Sequence, residues 1–179
     1  MAKIKCPYCG HENILGSDAC EKCLHSFTQK DIPQPTKEKL QKKIMTERVA
    51  DFISKVPPIL VSPETSLQEV IDKMHAFPMK GCVLVCGSNK KLLGILSLRD
   101  ILLKVAGIVK DLSKHPVKNI MTPNPECLDK DAPLAYALHK MSIGKFRHVP
   151  VLDNGIPIGV VSTRDIIEYL YTGSKNPSK

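Results

Sequence analysis

Cys6-Pro-Tyr-Cys9 and Cys20-Glu-Lys-Cys23 form the pattern C-x2-C-x10-C-x2-C. Two residues between cysteines let one tight turn aim both thiolates at the same ion. Two such turns complete a tetrahedral sulfur shell, the donor set of a structural zinc site. Gly10 follows the first pair, where a positive φ lets backbone amides face the sulfurs. A segment of ~25 residues buries too little apolar surface to fold alone, so bound metal supplies most of its stability.

With Cys-Pro-Tyr-Cys-Gly-His-Glu-Asn leading to Ala-Cys-Glu-Lys-Cys, the segment resembles the short zinc ribbons at the ends of many prokaryotic proteins. Iron in a rubredoxin-like site is the alternative, because tetrahedral S4 geometry suits both metals. His11 and His25 read as surface residues, since four thiolates already saturate the ion. Lys3, Lys5, Lys22 and Tyr8 offer contacts to nucleic acid, but Glu12, Asp18 and Glu21 offset them, which favours a docking or structural knob.

A second set of polar residues occurs twice. Gly94-Ile-Leu-Ser-Leu-Arg-Asp100 returns as Gly159-Val-Val-Ser-Thr-Arg-Asp165, sixty-five positions on, and Leu67 to Met74 returns as Leu134 to Met141. A unit of ~60 residues repeated with its polar turn implies two equivalent binding positions. Taken alone, Ser-x-x-Asp at a helix start is also an ordinary cap.

The elements that hold these turns follow from periodicity. In the first copy a strand is expected at 59–61, a helix at 66–76, strands at 82–86 and 92–96, and a helix at 98–105. Leu67, Val70, Ile71 and Met74 form one buried helical face. The second copy repeats this order at 126–128, 133–142, 148–152, 156–161 and 163–171, with Asn154-Gly155 as a hairpin turn. Residues 28–37 read as a Pro-containing spacer, and 35–55 as a helix ended by Pro57-Pro58 that packs on the repeats. The domains expected are a ribbon at 1–27, a linker at 28–56, repeats at 57–113 and 114–173, and a disordered tail at 174–179.

The order β-α-β-β-α in tandem resembles a pair of cystathionine-β-synthase (CBS) domains, a Bateman module. The likeness covers about residues 56–172. It rests on the doubled turn, the strand His-Val-Pro-Val-Leu-Asp and the lead-in Asn-Ile-Met-Thr-Pro at 119–123. It implies an α+β fold, two repeats packed as a pseudo-two-fold pair beside the zinc ribbon, with clefts for AMP, ADP, ATP or S-adenosylmethionine. By that resemblance Asp100 and Asp165 hold ribose, and Ser97 and Ser162 lie nearest phosphate. Arg147 and His148 add basic phosphate ligands to the second copy, whereas Lys80 and Gly81 are read as their counterparts in the first. Arg99 and Arg164 sit inside the turns, Thr122 near ribose or base, and Ile59 and Val61 beside the adenine. The family also implies a homodimer.

Bulk properties exclude several classes. No apolar run approaches the ~18 residues of a membrane span. No Walker loop, no Ser-His-Asp order and no open metal position marks an enzyme. The opening Met-Ala-Lys-Ile-Lys-Cys carries no apolar signal core, and seven cysteines with four clustered suit a reducing compartment, so a cytoplasmic protein is expected. The net charge of +8 favours anionic partners. The expected function is a non-enzymatic sensor of adenine nucleotide acting on an unknown protein target. A nucleic-acid-binding regulator and an iron redox protein are the alternatives.

Overall fold

A computed structural model of the chain describes residues 3–14, 17–27, 44–54, 56–77 and 81–172. Two compact units divide it, Val56–Pro125 and Met1–Lys55 together with Glu126–Lys179. The tail expected at 174–179 and most of the linker lie outside the described residues.

The first unit has β3 (Leu60–Val61), α1 (Leu67–Ala76), β4 (Cys82–Cys86), β5 (Leu92–Ser97), α2 (Leu98–Lys104) and β6 (Thr122–Pro123). Its sheet order is β3-β4-β5-β6, with β3 parallel to β4 and the remaining pairs antiparallel. Helix α1 starts where Ser66 Oγ accepts from the Glu69 amide at 3.2 Å. Its Leu67, Val70 and Met74 are buried against Val83, Val85 and Leu96 of the sheet. All five residues of β4 are buried, as expected of a central strand covered on both faces.

The second unit contains the ribbon hairpin β1 (Lys3–Lys5) and β2 (Glu12–Ile14). Its repeat consists of β7 (Leu128–Asp129), α3 (Leu134–Gly144), β8 (His148–Asp153), β9 (Ile156–Ser162) and α4 (Thr163–Thr172). The three-stranded sheet is ordered β7-β8-β9. Asn154 (φ 49°) and Gly155 (φ 83°) both take the left-handed conformation that a tight hairpin turn demands.

Each repeat is completed by the segment that leads into the other. Residues 115–123, which precede the second repeat, bury Val117 and pack Ile120 and Met121 in the first core, where β6 pairs with β5. Residues 44–54, which precede the first repeat, bury Val49 and Phe52 in the second core. The correspondence extends to single hydrogen bonds. The first amide of α1, Leu67, donates to the His115 carbonyl at 2.9 Å, and that of α3, Leu134, donates to the Glu47 carbonyl at 2.7 Å. Pro133 offers α3 no side-chain cap, so Glu47 satisfies a donor that would otherwise be orphaned.

That bond explains a departure from expectation. The helix expected over 35–55 is helical at 44–46, extended at Arg48 (φ −84°, ψ 142°), and resumes as a 3-10 turn at Val49–Phe52. The backbone of Glu47–Ala50 bonds instead to Leu134, Ala132 and Lys130, which a continuous α-helix could not do. The strand expected at 126–128 is likewise shifted to Leu128–Asp129, because its register is set by Val151 and Leu152 of β8.

The motif glycines are the sockets for these exchanged segments. A Cβ on Gly94 would lie 2.3 Å from Met121 Sδ, and one on Gly159 would lie 2.8 Å from Ile53 Cβ. Because Ile53 is β-branched and cannot swing aside, Gly159→Ala is expected to destabilise the second unit by about 1–3 kcal/mol in urea unfolding. Unchanged stability would mean that the 44–54 segment does not dock there.

Candidate functional site

The ribbon consists of two equivalent knuckles. Cys6 N donates to His11 O at 2.7 Å and Gly10 N to Cys6 O at 2.9 Å; Cys20 N donates to His25 O at 2.8 Å and Leu24 N to Cys20 O at 2.9 Å. The four sulfurs lie within 4.8 Å of one another. Two of the separations, Cys6–Cys23 and Cys9–Cys20, are 3.6 Å. A tetrahedral ion with bonds of about 2.3 Å sets its sulfurs ~3.8 Å apart, so the quartet fits one such ion. Burial pushes the Cys9 thiol up to about 11 and also raises Cys6. At Cys20 the amides of Cys23 and Lys22 and the thiols of Cys9 and Cys23 outweigh burial and pull it down to about 6.

Asn13 was not singled out from the sequence. It is the buried middle residue of β2, donating to His11 O at 2.8 Å and to Cys20 Sγ at 3.7 Å and accepting from Glu21 N at 2.9 Å. A polar residue at the one inward position of a three-residue strand is the signal that marks it. Leu24 occupies the position held by Gly10 in the first knuckle, with φ 60° against 72°. Its side chain is 79% exposed, so little packing opposes its removal. A non-glycine residue there costs roughly 1–2 kcal/mol, against ~0.5–1 kcal/mol of extra chain entropy for glycine. Leu24→Gly is therefore expected to stabilise the ribbon by up to ~1 kcal/mol, read as slower loss of added zinc to a chelator. Faster loss would contradict the knuckle geometry.

The ribbon rests on the second repeat. Asp129 N on β7 donates to Pro7 O at 3.0 Å, and Gly10 lies so close to the Asp129 carboxylate that a Cβ would approach within 2.9 Å. Tyr8 stacks on His25 at 5.5 Å, and Cys6, Cys20 and Phe27 form the ribbon's own small core. The outer edge of β7 is thus covered.

The doubled turn closes identically in both repeats. Ser97 N and Oγ donate to Asp100 Oδ2 at 3.0 and 2.6 Å, and Asp100 N donates back to Ser97 Oγ at 3.3 Å. Ser162 N and Oγ donate to Asp165 Oδ2 at 2.8 and 2.6 Å, and Asp165 N to Ser162 Oγ at 3.3 Å. Both serine–aspartate pairs are therefore reciprocal caps, worth about 0.5–2 kcal/mol each.

The second oxygens differ. Asp100 Oδ1 is bound by Lys104 Nζ at 2.8 Å, whereas Asp165 Oδ1 has no partner among the described residues. Tyr169 stands where Lys104 does in the first repeat. Its ring is buried edge-on against Phe52 at 4.8 Å, and its hydroxyl donates to Glu47 Oε1 at 3.3 Å, so it does not return to the turn. Burial opposes ionisation of Asp100, but Lys104 and Ser97 outweigh it and hold the carboxyl below the usual range.

Arg147 and His148 reach the second turn through the backbone: Thr163 N donates to Arg147 O at 3.0 Å, and His148 pairs with Ser162. In the first repeat Leu98 N donates to Gly81 O, and Cys82 pairs with Ser97. The counterparts of Arg147 and His148 are therefore Gly81 and Cys82, one residue later than the sequence alignment places them. Arg147 and Arg164 are exposed and His148 half-buried. Thr122 is exposed on β6 of the first unit, paired with Ile95. Ile59 packs on that unit's core, and Val61 is buried within it, so Val61 does not line an open surface.

The family model of the CBS domain matches twice, over residues 49–107 and 117–172. The CBS domain-containing protein CBSCBSPB5 of Arabidopsis thaliana is 37% identical over 125 residues, which cover 70% of this chain and 22% of that protein. The inosine-5'-monophosphate dehydrogenase of Methanocaldococcus jannaschii is 28% identical over 127 residues, 70% of this chain and 24% of the enzyme. The chain thus spans less than a quarter of the length of either relative. Among solved structures, the CBS domain pair of protein MJ0100, in complex with 5'-methylthioadenosine and S-adenosyl-L-methionine, is 28% identical with a TM-score of 0.62. That likeness covers 72% of this chain and 98% of the other. With both repeats matched, the chain belongs to the CBS-domain family.

Proposed function

We propose that the protein is a regulatory sensor whose second repeat binds an adenine nucleotide and whose ribbon holds one structural zinc ion. The observation that carries the ligand reading is the half-occupied Asp165 carboxylate. Its Oδ2 is saturated by the serine amide and hydroxyl, which fixes its orientation, while Oδ1 keeps its lone pairs for two vicinal hydroxyls. A ribose presents that pair. The adenosine-bearing ligands of the MJ0100 complex support the same class. Arg147 and His148 beside the turn favour a phosphate-bearing nucleotide over cationic S-adenosylmethionine, with Ser162 and Arg164 as further contacts.

The ribbon's role follows from what it touches. Its first knuckle spends a backbone carbonyl on β7, which supports a fixed docking element rather than a free nucleic-acid reader. Thiolate ligation suits a reducing compartment such as the cytoplasm. Leu98, Leu102 and Leu103 on α2 and Ile167, Leu170 and Tyr171 on α4 are exposed, which supports a homodimer formed through helix faces. Among the described residues no helix is long and apolar enough to cross a membrane. Calorimetric titration with AMP, ADP, ATP and S-adenosylmethionine tests the ligand reading. Saturable binding of a nucleotide is expected, and no binding of any of the four would overturn it.

A further inference from the structure

The two repeats carry the same Ser-x-Arg-Asp turn, yet only one has a carboxylate oxygen to give away. We infer that Lys104 is a built-in occupant of the first repeat, competing with a ligand for Asp100 and making the first adenosine-type site weaker than the second. The inference rests on the nucleotide reading above and adds the residue that makes the repeats unequal.

Three observations converge on Lys104. Its Nζ lies 2.8 Å from Asp100 Oδ1, the oxygen that in Asp165 is open. The same ammonium lies 3.3 Å from the carbonyl of Ile120, so it ties α2 to the segment running into Thr122. The Ser97 amide and hydroxyl fill Oδ2, leaving Oδ1 with no room for two further hydroxyls. A ribose docking on Asp100 must displace an ammonium, whereas Asp165 Oδ1 carries no such partner among the described residues. The second repeat has lost this occupant by placing Tyr169 in its core instead.

The side chains of the pair are 44% and 19% exposed, so the clamp is modest and can be opened. The effect of its removal is expected to be about five-fold in affinity, which corresponds to about 1 kcal/mol at 25 °C. Adenosine is the suitable probe, because an uncharged ligand gains nothing from an ammonium near its phosphate. Asp165→Asn silences the second repeat, and Lys104→Met is then compared on that background.

The double variant is expected to bind adenosine about five-fold tighter than Asp165→Asn alone, and added salt should narrow the gap by screening the ion pair. Equal affinity in the two, or failure of both to bind while wild type binds, would overturn the role of Lys104. Two equal sites per wild-type chain would overturn it as well. Wild-type protein that binds no adenosine would instead bring down the nucleotide reading, and this inference with it.

Discussion

Removing metal from the four-cysteine ribbon is expected to unfold residues 3–27 while the repeats keep their secondary structure. Beyond the four cysteines, the ribbon's core among the described residues holds buried Phe27 and half-buried Tyr8. A fully buried side chain of that size contributes about 1.5–3 kcal/mol, far below the entropy of ordering so many residues. Zinc bound by a ribbon of this kind supplies ~10–16 kcal/mol near neutral pH. Chelation should therefore free the Asp129 amide from Pro7, uncover β7, and raise amide exchange in both segments together. Wild-type protein should carry one zinc per chain, and Cys20→Ser should lose it. Exchange that stays slow after the metal is stripped would show that the ribbon folds without it.

Asp165→Ala carries the second large effect. Alanine removes the Oδ1 acceptor and also the Oδ2 that receives the Ser162 amide and hydroxyl. A bidentate hydrogen bond from ribose to an ionised group is worth ~1.5–3 kcal/mol, so affinity should fall about 10- to 100-fold. Losing the cap adds about 0.5–2 kcal/mol of destabilisation at the start of α4. Ser162→Ala separates the two roles, because it removes the two cap bonds made by the hydroxyl but leaves the residue-162 amide and both carboxylate oxygens. It should weaken the helix start to a similar degree while costing the ligand much less. Equal losses of binding in both variants would mean that the turn is a cap alone.

The elements nearest these sites were readable because local rules agree there. Asn154-Gly155 could hardly be anything but a hairpin turn, with the apolar run of His148–Asp153 before it and the alternation of Ile156–Ser162 after it. What could not be read was non-local. Nothing in Glu47 or His115 announces that its carbonyl completes a helix in the other repeat, and Gly94 and Gly159 look like strand glycines until Met121 and Ile53 fill the space above them.

The serine–aspartate turn shows both limits. Its repetition was legible, and so was the family likeness, yet identical motifs concealed unequal carboxylates. The difference lies four residues downstream, where Lys104 reaches back to Asp100 and Tyr169 turns into the core. The one-residue misalignment of Arg147 and His148 with Lys80 and Gly81 arose because strand register, not residue similarity, decides what stands beside the turn.

The most direct test of the sensor account is calorimetry of AMP binding to the zinc-loaded protein, with Asp165→Ala as the companion. Saturable binding whose tighter site is weakened at least about ten-fold by the substitution is the result expected. Binding that is unaffected by Asp165→Ala would contradict the account.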